Sequence, residues 1–466
     1  MTTAARGRSY CGLPDVDLHA LGESAKHAHF GGALFYDLMA RFDSVLSASC
    51  LPHGAQGPAV ACWLRITEQI GQQSRHGATY AGVIGDVADA IVIKTGDDRA
   101  ALTDEYSVQR ILNLLRPVVP NFALAFGKFD CGATDYLIVE RVVFQRKAFG
   151  TTTSMTLNQY LTRAPPTILV LLSVLTQIML ALQLAQDIYR FTHYDLHPGN
   201  ILMEGLDDIS PAPQSGYVQL HYPTKAEWTP IRTLDLHGYV SVRAPVVPVV
   251  VDFGYSRLTD IEGRNHGGMY PDDAAGITQY FSAAYDPILV VASVERLLRL
   301  THGDKRLSPL RAVCGGRVKH WSSLDRWARI GLQPDGRPDT AGGLTPLGIV
   351  EVMQSMYPKQ MAQIVNRFEP GDVVAKEVVP KEVVVPRVEV PIAPMPPRAK
   401  RRRTLPTPSP TPPPPSPPSA SERPPSASER PPSPLLPLLP EPSWVGESEA
   451  EHARAFDFLE QFAAED

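Results

Sequence analysis

Lys94 ends the apolar run Ala90-Ile91-Val92-Ile93-Lys94, and Glu105 follows on a helical segment. Farther along, His193-Tyr194-Asp195-Leu196-His197-Pro198-Gly199-Asn200-Ile201-Leu202 carries a carboxylate and then a carboxamide, and Val249 to Val251 leads into Asp252-Phe253-Gly254. A lysine at the end of a buried strand needs a carboxylate to fix its ammonium, and Glu105 is placed to supply one. Phosphoryl transfer from ATP leaves a protein mainly to position groups and to stabilise charge. It asks for a lysine on the phosphates, oxygen ligands for Mg2+ and a base beside the acceptor hydroxyl. In that chemistry Lys94 and Glu105 form the phosphate-positioning pair, Asp195 accepts or orients the hydroxyl proton, Asn200 and Asp252 hold Mg2+, and Gly254 frees the backbone after them.

An Asp-Phe-Gly tripeptide alone specifies little. Together with the upstream H-x-D-x-x-x-x-N loop, the strand lysine and the helical glutamate, all in order, it resembles the protein kinase superfamily over residues 63 to 300. The resemblance implies a bilobal α+β fold with a small β-rich lobe and a larger helical lobe, ATP and Mg2+ as cofactors, and transfer to a protein serine or threonine. It also implies a hinge at Val139-Glu140-Arg141-Val142, where backbone groups of Glu140 and Val142 meet the adenine behind a Val139 gatekeeper. Asp286, in Ala284-Tyr285-Asp286-Pro287, stands where the family has a buried aspartate bracing the catalytic loop.

The chain departs from the family's pattern in several places. In Gly71-Gln72-Gln73-Ser74-Arg75-His76-Gly77-Ala78-Thr79 the three glycine positions of the phosphate loop fall on Gln72, Ser74 and Gly77. Gly71, Ser74 and Gly77 remain the expected phosphate contacts, on a stiffer loop. Tyr194 replaces the arginine that reads a phosphate on the activation segment, so control by phosphorylation there is not expected. No Ala-Pro-Glu closes the segment after Gly254. His197 and the run His-Pro-Gly-Asn are similar to small-molecule phosphotransferases and UbiB-type atypical kinases. The strand-like insertion between Asn200 and Asp252 and the ending Asp-Phe-Gly-Tyr-Ser-Arg-Leu resemble haspin-like kinases and the divergent serine/threonine kinases of large DNA viruses. Glu105-Tyr106 followed by Val119-Pro120-Asn121-Phe122-Ala123 favours the viral kinases. Two alternatives stay open: a small-molecule kinase with the same site, and a non-catalytic nucleotide-binding scaffold. His193 is expected to pack and hydrogen-bond and not to carry protons.

The elements that must hold these residues are legible as periodicity. Trp63 to Ile70, Thr79 to Ile84 and Ala90 to Lys94 read as an antiparallel meander, the last two joined by a turn at Gly85-Asp86. Thr103 to Leu115 reads as a helix closed by Pro117 and Pro120, and Tyr136 to Val139 as a short strand. Leu157 to Leu161, Ile168 to Tyr189 and Ile288 to Leu300 read as helices, and Tyr217 to Tyr222 and Tyr239 to Val251 as an inserted hairpin. The apolar run from Ile168 to Ala185 is expected to be a buried helix and not a membrane span, since His193 and Asp195 follow it closely. Residues 1–60, with a short helix from Ala33 to Leu46, carry no readable chemistry.

Composition divides the chain further. Of 466 residues 45 are proline, and they crowd between Pro391 and Pro442, where too few large apolar side chains remain to offset backbone entropy. The expected organisation is an extension (1–60), a kinase-like domain (61–368, with lobes 61–139 and 143–368), a disordered proline-rich segment (369–445) and an acidic amphipathic segment (446–466). The net charge of −5, spread over both signs, gives no reason to expect nucleic acid. The five cysteines form no CxxC pair, which fits a reducing compartment, and no apolar signal block opens the chain. Lys400-Arg401-Arg402-Arg403 is either a nuclear import signal or an ordinary basic patch, so the expected location is intracellular. The P-x-x-P spacings suit SH3 or WW domains as partners, besides the protein substrate.

Overall fold

The computed structural model describes residues 17–26, 32–46, 59–61, 63–70, 77–96, 98–131, 134–146, 152–163, 165–205, 217–228, 234–267, 281, 283–315 and 345–368. All of them belong to one unit of the chain, and the architecture mixes α and β. The proline-rich segment, Lys400 to Arg403 and the acidic end lie outside the described residues, as do Gly71 and Ser74.

Six antiparallel strands form the largest sheet: β1 (Ala59–Ala61), β2 (Leu64–Gln69), β3 (Ala78–Ile84), β4 (Val87–Gly96), β5 (Ala125–Cys131) and β6 (Thr134–Glu140). Their order is β1-β2-β3-β4-β6-β5, with Lys94 of β4 facing Thr79 on one side and Leu137 on the other. Ala90, Ile91 and Ile93 of β4 are fully buried, as suits a central strand rich in β-branched residues. β5 is absent from the sequence reading because Gly127, Lys128 and Asp130 interrupt its apolar pattern. Gly127 has a packing reason: a Cβ there would come within 2.0 Å of Leu46 Cδ1. Helix α2 (Gly32–Leu46) lies that close, stacking Phe42 on Phe126 at 4.4 Å, and α1 (Leu18–Lys26) buries Leu21 in the same core. Helices α1 and α2 therefore supply core packing against the sheet.

Helix α3 (Arg99–Leu112) begins four residues earlier than its apolar periodicity suggests. The side chain of Asp98 caps it, accepting hydrogen bonds from the Ala100 and Ala101 amides, and a 3-10 turn (Asn113–Leu115) ends it before Pro117. Its buried face is Leu102, Glu105, Val108, Gln109 and Leu112, a helical stripe that carries two polar groups inward.

The rest of the described chain comprises β7 (Gln145–Arg146), β8 (Thr152–Thr153), α4 (Leu157–Arg163), α5 (Ile168–Tyr189), β9 (Ile201–Glu204), β10 (Val218–Trp228), β11 (Leu234–Ala244), β12 (Val247–Val250), β13 (Arg257–Thr259), β14 (Asn265–Gly267), α6 (Tyr285–His302), α7 (Ser308–Gly315), α8 (Pro346–Met356), α9 (Pro358–Ile364) and β15 (Val365–Phe368). Thr167 caps α5, and Arg190 closes it in the left-handed region. From Leu171 onward α5 is buried nearly all round, which makes it the central core helix. Among the described residues it is the one helix long and apolar enough to cross a membrane by length and composition.

Two short ladders matter for the site. β9 pairs antiparallel with β12, Ile201 opposite Val250, so Asn200 and Val251 face each other just outside this ladder and Asp252 follows Val251. The inserted segment forms the hairpin β10–β11, with Tyr222 opposite Val240 and β15 added to its outer edge.

Candidate active site

The side chains of Lys94, Glu105 and Asp252 meet although they come from three separate elements. Lys94 Nζ lies 2.9 and 2.7 Å from the two Glu105 oxygens and 2.7 Å from Asp252 Oδ1. Glu105 is buried, whereas the Asp252 side chain is half exposed. Burial works to lower the Lys94 pKa, but the charges of Asp252 and Glu105 override it and raise the ammonium above its ordinary value. That ammonium in turn holds the Asp252 carboxyl down to about 2. Glu105 goes the other way: burial raises it, Lys94 opposes, and Asp252 adds to the rise. Asp252 is thus the carboxylate held the more firmly ionised, and its side chain is the more exposed of the two. Its φ of 61° puts it in the left-handed region, a strained conformation for a non-glycine residue. Phe253 holds it there, buried against Phe122, Phe191 and His193.

Asp195 and Asn200 form the second half. Asn200 Nδ2 donates to the Asp195 carbonyl at 2.9 Å and to its Oδ2 at 3.0 Å. Asp195 therefore consumes the amide's donor end, and the oxygen end is the one suited to a cation. The Val251 amide donates to the Asn200 carbonyl at 3.0 Å, which continues the β9–β12 ladder and sets Asn200 opposite the residue that precedes Asp252.

The loop is braced from below by Asp286, fully buried at the start of α6. Its carboxylate accepts the His193 amide at 2.6 Å and the Tyr194 amide at 2.9 Å. Burial pushes its pKa up to about 7, against the pull of those two amides. Tyr194 takes a φ of 66° and packs its ring on Tyr285, 5.4 Å between centroids, so this position is filled by an internal contact. Burial lowers the His193 pKa. Its Nδ1 accepts the Asp195 amide at 3.3 Å and its Nε2 faces the Val251 carbonyl at 3.0 Å, which fixes the proton on Nε2. The ring is a structural strut. His197 Nδ1 accepts the Gly199 amide at 3.0 Å, and its Nε2 lies 3.9 Å from Asp195 Oδ1.

Of the expected nucleotide contacts, Gly77 immediately precedes β3 at a φ of 140°, and a Cβ there would stand 1.7 Å from the Thr95 carbonyl oxygen. Only glycine fits. The Glu140 side chain points into the protein, paired with Arg116 at 3.0 Å, and its amide donates to the Leu124 carbonyl. The Val142 carbonyl accepts Ser154 Oγ at 2.8 Å.

The donor set fits a hard divalent cation: the low-pKa carboxylate of Asp252 and the carboxamide oxygen of Asn200, both oxygen ligands. Among the described residues no three His, Cys, Asp or Glu side chains form a metal cluster.

The sequence reading passed over several buried polar residues. Gln109 Nε2 donates to the Ala123 carbonyl, Asn113 exchanges two hydrogen bonds with Ala125, and Arg116 Nη1 donates to the Phe122 carbonyl at 2.6 Å. Tyr222 Oη donates to Asn121 Oδ1 at 2.8 Å, and Asn121 Nδ2 to the Pro248 carbonyl at 2.8 Å. The one available signal was their polarity within otherwise apolar stretches.

No family model matches the chain, and no curated protein matches it. Among solved structures it is similar to the autoinhibited serine kinase domain of the giant muscle protein titin, with 19% sequence identity and a TM-score of 0.24. The match covers 30% of this chain and 40% of that one, so the chain spans less than half of the domain it matches.

Proposed function

We propose that this chain is an ATP- and Mg2+-dependent protein serine/threonine kinase with a bilobal kinase-like fold. One observation carries the reading: Lys94 Nζ sits 2.7 Å from both Glu105 and Asp252, while Asn200, bonded to Asp195, pairs with Val251, the residue before Asp252. A structural ion pair needs one carboxylate. A second one, half exposed, ionised and held in strained backbone, is what a cation-bearing phosphate site requires.

Bound Mg2+ would neutralise charge across the β- and γ-phosphates of ATP. Asp252 and the Asn200 oxygen would hold it. Lys94, oriented by Glu105, would grip the phosphates, and Gly77 would let the chain approach them closely. Asp195, fixed through Oδ2 by Asn200, would present Oδ1 to the acceptor hydroxyl and orient or take its proton. The Glu140 carbonyl and the Val142 amide would meet the adenine. In this reading the Tyr194–Tyr285 contact takes the place of an activation-segment phosphate reader, and the enzyme works without phosphorylation there. The similarity of the sequence to divergent kinases of large DNA viruses supports a protein acceptor and an intracellular location, with Lys400 to Arg403 as import signal and the P-x-x-P stretches as SH3- or WW-domain ligands.

A second reading keeps the same site with a small-molecule acceptor, favoured by His197 beside Asp195. Incubation of the full chain with labelled ATP and Mg2+, against protein and small-molecule acceptor panels, tests both. Label on serine or threonine of protein supports the first reading, and label confined to small molecules supports the second. Mg2+-dependent ATP binding without transfer to any acceptor leaves a non-catalytic scaffold.

A further inference from the structure

The hairpin β10–β11 supplies none of the groups that phosphoryl transfer needs, yet it buries Tyr222, Val240 and Val242 in the main core, and of these three Tyr222 carries a polar group there. Tyr222 is fully buried, and so is the Asn121 amide that accepts its hydroxyl proton. Burial raises the phenol pKa, so the hydroxyl remains a donor.

Asn121 sits in the connection 120–123 between α3 and β5, and this connection is bonded on two sides. Towards β12, the Asn121 carbonyl accepts the Val250 amide at 2.7 Å, the Val250 carbonyl accepts the Ala123 amide at 3.0 Å, and Asn121 Nδ2 holds the Pro248 carbonyl. β12 leads directly into Asp252. Towards α3, Gln109 holds the Ala123 carbonyl and Arg116 the Phe122 carbonyl, and α3 carries Glu105. The connection is therefore the joint that sets where Glu105 stands relative to Asp252, the two carboxylates between which Lys94 is shared. Tyr222 fixes the Asn121 amide in the one orientation that serves Pro248: with Oδ1 occupied by the phenol, Nδ2 must face β12.

Building on the proposed function, we infer that Tyr222 is a positioning residue: through Asn121 it sets the spacing of Glu105 and Asp252 about Lys94, and the inserted hairpin exists to hold it there. Tyr222→Phe keeps the ring and its packing and removes only the hydroxyl, leaving Asn121 Oδ1 buried without its donor. The joint then loosens, and the Lys94 ammonium spends more time outside its two carboxylates.

The test is the acylation rate of Lys94 by an amine-reactive acetylating reagent, read by peptide mass spectrometry in the full chain. Lys128 serves as internal reference, since it too is held by two carboxylates, Asp130 and Asp135, in the same sheet. Tyr222→Phe is expected to speed Lys94 labelling by about tenfold while Lys128 stays constant. Asn121→Ala should do the same, and the double variant should go no further, because the two residues act in series. Unchanged Lys94 labelling in Tyr222→Phe overturns the inference. So does an equal rise at Lys128, which marks general loosening, or a double variant in which the two effects multiply. The labelling is independent of turnover, so a wild-type chain that transfers no phosphate counts against the proposed function and not against this joint.

Discussion

Lys94 Nζ and Asp252 Oδ1 stand 2.7 Å apart although 158 positions separate them in the chain, and Glu105 holds the same ammonium from the other side. Two carboxylates on one lysine give the cluster an excess of acidic groups that a bound cation would offset.

Removing the lysine tests how much of this arrangement is structural. Lys94→Met leaves Glu105 buried without a counter-charge, which costs about 2 kcal/mol once the partial exposure of the lysine is allowed for. Phosphate transfer should fall by at least about 100-fold, more than the stability loss explains. Urea denaturation alongside a transfer assay separates the two effects.

Asp252 gives a pH signature. Its folded pKa of about 2 lies below the ordinary 3.8, so the stabilisation it brings is present above pH 3.8 and is lost as pH falls towards 2. Solvent screening of the half-exposed side chain limits this to about 1 kcal/mol. Wild type and Asp252→Asn should differ by that amount in denaturant titrations at pH 6 and converge as the pH drops from 4 towards 2.

Asp286 has the opposite sign. Its folded pKa, raised to about 7, lies above the ordinary value, so its contribution is full below about pH 4 and is lost as pH rises through 7. The stability advantage of wild type over Asp286→Asn should narrow between pH 4 and pH 8. The variant also loses one of two acceptors for the His193 and Tyr194 amides, and a lower kcat with unchanged KM for ATP is the expected kinetic result.

How much of this was legible in the sequence depends on how local the cause is. Lys94, Glu105, Asp195, Asn200 and Asp252 stand out because their types and order are unusual, and α5 because its apolar run is continuous. β5 was hidden by Gly127, whose reason is the approach of Leu46 from a distant helix. The start of α3 was hidden because Asp98 sets it by capping, outside the apolar stripe. The joint at Asn121 was illegible for the same reason: its partners Tyr222 and Pro248 lie far away in the chain, and no periodicity connects them.

Gly77 allows a sharper test of the phosphate loop. Gly77→Ala would place a Cβ against the Thr95 carbonyl at a φ that side chains rarely adopt, so β3 must shift. A loss of about 2 kcal/mol in stability and a raised KM for ATP are expected, read by thermal denaturation and steady-state kinetics.

The most direct test is the rate of phosphate transfer from labelled ATP in the presence of Mg2+, compared between wild type and Asp195→Ala. Asp195 touches the acceptor hydroxyl in this account, so the variant should keep Mg2+-dependent ATP binding and lose transfer by about 100-fold or more. Equal transfer by the two proteins would contradict it.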